Sequence, residues 1–172
     1  MSKWLLLKFW VTLPMICLGH VTFTNLNCSS HDLDFMSFPT CRIKAVNRTH
    51  KYISIYAKIN QLPIVEVRVS FCVIKIKPFF FDLSYDGCHF LKNQKNIFVK
   101  TLYKTFQRSS NMNHTCPYNH DIIVDKLFTG NLEEEYGRFI VIPNGDYAIY
   151  TEWIVSKVAR ASVKIYLNIL NK

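Results

Sequence analysis

The chain has 172 residues, of which 49% are hydrophobic and 15% aromatic, and its formal net charge is +9. This length and apolar content predict one globular domain with a hydrophobic core and exclude a disordered chain. The basic residues are scattered rather than gathered in a run, so we expect a solvated face with weak attraction to an anionic membrane surface, and no nucleic-acid binding.

The N-terminal segment has the layout of a secretory signal peptide. An apolar run, Trp4–Leu18, follows a basic start and ends at small residues, with Gly19 at the −1 position of a cleavage site. The alternative is a membrane anchor, but the run is short and contains Lys8. We therefore expect a signal peptide over residues 1–19 and a single secreted domain over residues 20–172.

Five cysteines remain after this cleavage, and an exported protein resides where disulfides form. Cys72 lies inside a long apolar run and is expected to stay unpaired, or to bond another chain. The simplest first pair is Cys28 with Cys41. The simplest second pair is Cys88 with Cys116, although four cysteines allow three connectivities.

Two cysteine-centred blocks, Asp86–Lys92 and Asn111–Asp125, also contain residues that can ligate a metal. The candidate ligands are Cys88, Cys116, His89, His114, His120 and Asp121. A zinc site of this kind needs a second cysteine at short spacing, which is missing, and a disulfide would remove both thiols. We therefore expect a scaffold role for these blocks, with no metal and no cofactor.

Three Asn-x-Ser/Thr sequons agree with export. They begin at Asn27, Asn47 and Asn113. Each is a candidate site of N-glycosylation and therefore predicts a surface position.

Alternation of apolar and polar residues predicts the strands. In chain order, the alternating segments are Tyr52–Ile59, Val65–Ile76, Tyr147–Val155 and Ala161–Ile169, with a further short apolar run at Phe139–Ile142. The phase of the second segment changes after Val73, as a β-bulge would produce. Turn residues between the segments favour an antiparallel sandwich.

One segment, Asn96–Arg108, has helical periodicity instead. Phe98, Leu102 and Phe106 are spaced at i, i+4 and i+8, which predicts an amphipathic helix of about three turns.

The sequence lacks the motifs of the common enzyme classes. It contains no Gly-rich phosphate loop, His-Glu-x-x-His or Gly-x-Ser-x-Gly motif. We therefore do not expect an enzyme. The acidic run Glu133–Glu135 is expected to be a solvated loop.

Longer ordered motifs resemble a known family over nearly the whole mature chain, from about Phe23 onward. These motifs are Cys41-Arg42, Lys44–Thr49, Lys77–Phe80, Asp86–Lys92, Ser110–Asp121, Ile142–Tyr147, Trp153 and Ala161–Ile169. They resemble an insect family of small secreted proteins known as a domain of unknown function. That family is related to the CheB gustatory proteins and, more distantly, to the ML lipid-recognition domains.

The resemblance implies a mainly β fold, an immunoglobulin-like antiparallel β-sandwich of ML type with one short helix at about 96–108, preceded by the signal helix. Such a fold holds a lipid between its sheets, so the expected ligand is a small hydrophobic or amphiphilic molecule such as a lipid or a contact pheromone. The aromatic residues expected to line the pocket are Phe71, Phe79, Phe80, Phe81, Phe98, Phe106, Phe139 and Trp153.

The closer relatives are linked to taste and pheromone responses, which implies a chemosensory role and a membrane receptor as a partner. The alternative expectation is an extracellular structural or interaction protein that acts through an exposed aromatic surface.

Overall fold

The structure is a computed structural model that describes residues 20–47, 50–75, 79–136 and 143–171, with the backbone alone at 79–81 and 134–136. The predicted signal peptide and the run Phe139–Ile142 lie outside these residues. Within them the chain forms eight strands and three helices, which are β1 (His20–Ser30), β2 (Met36–Ala45), β3 (Lys51–Ile59), β4 (Arg68–Lys75), β5 (Phe79–Asp86), α1 (Gly87–Asn93), α2 (Ile97–Gln107), β6 (Ile122–Phe128), α3 (Thr129–Tyr136), β7 (Gly145–Val155) and β8 (Val158–Leu170).

The strands form two antiparallel sheets. The larger sheet has the order β1-β8-β7-β4-β5, and the smaller sheet has the order β2-β3-β6. Buried side chains from both sheets, including Phe23 on β1 and Ile53 on β3, belong to one core cluster. The prediction of a mainly β fold with antiparallel sheets is therefore confirmed.

The alternation in β4 and β7 explains how one face of the larger sheet becomes apolar. Val69 pairs with Trp153, and Phe71 pairs with Thr151, so these side chains share the inner face. The intervening Cys72 pairs with Tyr150 on the opposite face.

The prediction of a β-bulge after Val73 is wrong. β4 keeps an unbroken register with both neighbouring strands over Arg68–Lys75. The apolar Ile74 simply lies on the outer face, where it pairs with the buried Ala148 of β7. Within Arg68–Lys75, the phase change in the sequence therefore reflects an apolar residue, Ile74, on the outer face and not an extra residue in the strand.

Helix α2 confirms the predicted helix. Asn96 caps its N-terminus, because the Asn96 side-chain oxygen accepts hydrogen bonds from the Phe98 and Val99 amides at 3.0 and 3.1 Å. The buried face of the helix includes Val99 and Leu102. Phe98 lies in the first turn, off this face, and is 39% exposed.

Helices α1 and α3 were not predicted. Asp86 caps α1 by accepting the His89 amide at 2.8 Å. The acidic run Glu133–Glu135 lies within α3, so its assignment to a loop is wrong; Leu132 beside it is buried and holds the helix on the core. Among the described residues, no helix is long and apolar enough to cross a membrane.

Both predicted disulfides form. Cys28–Cys41 joins β1, an edge strand of the larger sheet, to β2, an edge strand of the smaller sheet. Cys88–Cys116 joins α1, which directly follows β5, to the segment before β6. Cys72 is the free cysteine of the described chain and is half-buried.

Candidate functional site

A cavity of about 200 Å³ lies between the two sheets. The inner face of β3 forms one wall through Ile53, Ile55 and Ala57, as the alternation of that strand predicted. Phe71 of β4 and Trp153 of β7 belong to the opposite wall. The cavity therefore occupies the place where the facing sides of a two-sheet protein meet.

Two helices border the cavity where the sheets leave it open. Helix α2 contributes Leu102 and Phe106, and helix α3 contributes Leu132. Tyr103 holds α2 in place, since its hydroxyl donates to the Met112 carbonyl at 2.9 Å and its ring meets the Phe106 ring edge-on at 5.6 Å between centroids.

Three hydroxyl groups around the cavity, those of Thr105, Thr151 and Tyr118, donate hydrogen bonds to backbone carbonyls. Thr105 donates to the Leu102 carbonyl at 2.6 Å, and Thr151 donates to the Val163 carbonyl at 3.1 Å. Burial raises the pKa of Tyr118 to about 12, and its hydroxyl donates to the His114 carbonyl at 2.6 Å. This tyrosine therefore stays protonated near neutral pH, and the described lining residues offer a mainly apolar surface.

Arg160 of β8 is the cationic side chain among the described lining residues. Its guanidinium pairs with Asp32 and lies over the Phe35 ring at 4.5 Å from the ring centroid. Its Nε is buried and has no hydrogen-bond partner among the described residues. A buried donor without a partner is costly, so an acceptor brought by a ligand would be stabilised here.

The predicted pocket residues have different outcomes. Phe71, Phe106 and Trp153 border the cavity. Phe98 does not, because it lies on the exposed side of α2. Phe79, Phe80 and Phe81 belong to β5, but their side chains are not described, and Phe139 lies outside the described residues.

Sequence reasoning missed Phe23, Phe35, Phe38 and Arg160. The first three lie on or beside β1 and β2, where no strand was predicted, and Arg160 directly precedes a predicted strand. The count of aromatic residues hinted at the three phenylalanines, and no signal in the sequence pointed to Arg160.

The six candidate metal ligands of the cysteine blocks are not brought together. Both cysteines are used in the disulfide, and His89 bonds the Asn93 side chain on α1 at 3.2 Å. His114 and His120 approach each other with 2.9 Å between their Nε2 atoms. Asp121 instead accepts hydrogen bonds elsewhere.

Asp121 ties the start of β6 to β3. Its carboxylate accepts the Ile59 amide at 2.8 Å and the Tyr56 hydroxyl at 2.6 Å. The hydrogen bond from Ile59, followed by that from Tyr56, lowers the pKa of this carboxyl. The block therefore has a scaffold role at this residue.

All three sequon asparagines are exposed, as predicted. Asn27 lies on the edge strand β1, Asn47 in the turn after β2, and Asn113 in the segment before Cys116.

These features define a mainly β protein whose two disulfide-linked sheets enclose an apolar cavity. Residues 65–149 match the family DUF1091, described as a protein of unknown function. The matched region includes β4, β5, β6 and all three helices, and hence much of the cavity lining. No curated protein matches the chain.

Proposed function

We propose that this protein is a secreted, non-catalytic binding protein for a small hydrophobic or amphiphilic ligand, such as a lipid or a contact pheromone. The observation that carries the proposal is the apolar cavity of about 200 Å³ between the sheets. Apolar cavities of about 150 Å³ in proteins stay dry and take up benzene or xenon, so a space of this size and character suits an apolar guest.

The size of the cavity limits the ligand. Sites for drug-sized ligands measure about 300–1,000 Å³, whereas this cavity measures about 200 Å³. It therefore takes a small apolar molecule, or the end of one acyl chain, without rearrangement. A longer chain would extend past the helices that border the cavity.

Arg160 supports an amphiphilic ligand rather than a pure hydrocarbon. Arg160 borders a largely apolar space, and its buried Nε lacks a hydrogen-bond partner among the described residues. A carboxylate, carbonyl or hydroxyl oxygen on the ligand would accept this hydrogen bond. Because Asp32 already balances the charge of Arg160, a neutral polar head group is accepted as well as an anionic one.

The disulfides and sequons support secretion. Two disulfides are typical of proteins that fold in an oxidising compartment, and the asparagines of the three sequons are exposed. We further propose that the fold is an immunoglobulin-like sandwich of ML type and that the protein is related to the CheB proteins. We also propose a chemosensory role, with a membrane receptor as the partner.

The alternative function, an extracellular interaction protein with an exposed aromatic patch, receives less support. Among the described residues, the large apolar side chains that are exposed are separated along the chain, apart from Ile97 and Phe98 on α2. Phe98 is the one aromatic residue in this set. A single exposed aromatic side chain among the described residues gives little support to an aromatic interaction surface.

The decisive experiment is native mass spectrometry of the full chain secreted from insect cells, followed by extraction of bound molecules. We expect a co-purified apolar or amphiphilic molecule, or saturable uptake of a fluorescent apolar probe at one site per chain. Absence of both would overturn the proposal. The same spectra report the N-terminus and the glycans, which tests cleavage after Gly19 and occupancy of Asn27, Asn47 and Asn113.

A further inference from the structure

Three side chains with metal-binding chemistry meet at one edge of the molecule, away from the two cysteine blocks. They are His20 at the start of β1, His50 immediately before β3, and Glu133 on α3. We propose that these three residues bind a divalent transition metal ion, with zinc as the best match. Zinc binding at these residues is independent of the proposed function, and only the effect of zinc on the release of an apolar probe rests on that function.

The distances suit a metal after a small adjustment. One ligand atom from each residue lies within 4.8 Å of the other two. His20 Nδ1 and Glu133 Oε1 are already 3.1 Å apart. Ligand atoms around a tetrahedral zinc with bonds of about 2.0–2.2 Å lie about 3.4 Å from one another, so rotation of side chains is sufficient to close the site.

The donor set also fits zinc. Two imidazoles and one carboxylate are a known set of three protein ligands for zinc, and the fourth position is left for water or another donor. Cleavage after Gly19, which the sequence predicts, would make His20 the first residue and place its α-amino nitrogen next to its own ring as a further donor.

Hydrogen bonds already orient two of the three ligands. The Val21 amide donates to Glu133 Oε1 at 2.7 Å. His20 Nε2 lies 3.1 Å from the Thr22 hydroxyl, which leaves Nδ1 directed at Glu133. Metal ligands in proteins are oriented in this way by partners in the surrounding shell.

The third ligand, His50, is positioned by an aromatic contact. Its ring stacks on Phe128 with 5.2 Å between centroids and 18° between planes. Gly130 lets Phe128 approach α3 closely, because a Cβ at that position would lie 2.6 Å from Phe128 Cε1.

The site is accessible to an ion, and a neighbouring cation is engaged elsewhere. The His20 and Glu133 side chains are 25% and 20% exposed. The ammonium of Lys51, which follows His50, donates to the Phe23 carbonyl at 2.8 Å. A positive ion could therefore enter the site and be neutralised in part by Glu133.

Binding of a metal would affect the cavity through α3. Leu132, adjacent to Glu133, borders the cavity, and the metal would join α3 to β1 and to the start of β3. We therefore expect zinc to slow the release of an apolar probe from the cavity, as well as to raise the melting temperature.

The test is titration of the chelator-treated, secreted protein with Zn²⁺, followed by calorimetry and by thermal melting, with Mg²⁺ as the comparison ion. We expect one zinc per chain and no response to Mg²⁺. Co²⁺ in place of zinc should give the visible absorption of a tetrahedral site, which a purely structural effect would not produce.

Two variants and one control assign the ion to this site. Glu133→Gln keeps an oxygen for the Val21 amide but removes the negative charge. Glu133→Gln and His50→Ala should each weaken zinc binding at least about tenfold. His114→Ala, which removes the other close histidine pair, should leave binding unchanged. Failure of the protein to bind one zinc, or loss of zinc only in His114→Ala, would overturn the proposal.

Discussion

Replacing Ala57 by leucine should stabilise the protein and reduce ligand uptake. Ala57 is 5% exposed and borders the cavity, so the added carbons have open space in front of them. Ala148 is a matched control, because it is 6% exposed but does not border the cavity. The same substitution at Ala148 has no such space and should strain the outer face of the larger sheet.

The magnitudes follow from the number of carbons and from the packing. Alanine to leucine adds three carbons, and burial contributes about 0.8 kcal/mol for each, so Ala57→Leu gains at most about 2 kcal/mol. Overpacking at Ala148 costs about 1–3 kcal/mol. An empty cavity of about 200 Å³, at about 24 cal/mol per Å³, costs about 5 kcal/mol, so the expected gain recovers at most about half of it.

Urea denaturation of both variants measures these changes in the free energy of unfolding, and titration with a fluorescent apolar probe measures uptake. We expect Ala57→Leu to unfold at higher urea and to bind the probe more weakly than the wild type. If Ala57→Leu loses as much stability as Ala148→Leu, the space beside Ala57 is not available and the reasoning fails. Stabilisation with unchanged probe affinity would refute the cavity as the binding site.

Other outcomes test separate parts of the structure. Arg160→Met should weaken binding of a fatty acid by about 10–100-fold, because a hydrogen bond to a charged group contributes about 1.5–3 kcal/mol. Binding of a hydrocarbon of the same length should be unchanged. Equal losses of affinity for both ligands would exclude Arg160 as the anchor of the polar head group. The pKa of Asp121 is lowered by the Ile59 amide, so its contribution to stability is complete above about pH 4 and is lost as the pH falls through its lower folded value. Urea midpoints should therefore fall less steeply with acid in Asp121→Asn than in the wild type, and parallel pH profiles would contradict this role. Replacing Cys28 and Cys41 together by serine should lower the free energy of unfolding by about 3 kcal/mol in non-reducing melts, and an unchanged midpoint would mean that the bond restricts the unfolded chain little.

The strands that could be predicted are those whose apolar residues alternate strictly. In β3 every second residue from Ile53 to Ile59 borders the cavity. The two-residue alternation of apolar side chains in the sequence is therefore the same as the alternation of faces along the strand. In β1 the alternation stops after Phe23, where the register shifts, and the following residues are mostly polar. β2 likewise shifts register between Ser37 and Thr40. Pairing with other strands and the Cys28–Cys41 disulfide hold these segments. The disulfide could be predicted from the cysteine count, but the strand pairing is not visible in the local sequence.

The helices and the cavity show the same limit. α2 has a long apolar stripe and a capping Asn96, whereas α3 is short and acidic and is held by tertiary contacts such as that of Leu132. Periodicity placed Phe98 with Leu102, but the first turn of α2 extends beyond the core. Which aromatic residues face the cavity depends on how the sheets pack, and that arrangement is not local.

The positions of the two disulfides set how far the sheets can separate. Cys28–Cys41 fixes the distance between the sheets at the β1 and β2 edges, with 6.2 Å between Cα atoms. Cys88–Cys116 restrains the opposite side, where β5 continues into α1 and the chain returns toward β6. For the proposed ligand, this means that the sheets cannot spread to admit a bulky guest, so covalent bonds as well as side chains would limit the size of the ligand. Mild reduction should then broaden the range of apolar probes taken up before the fold is lost, and the proposed selectivity would depend on the redox state of the surroundings.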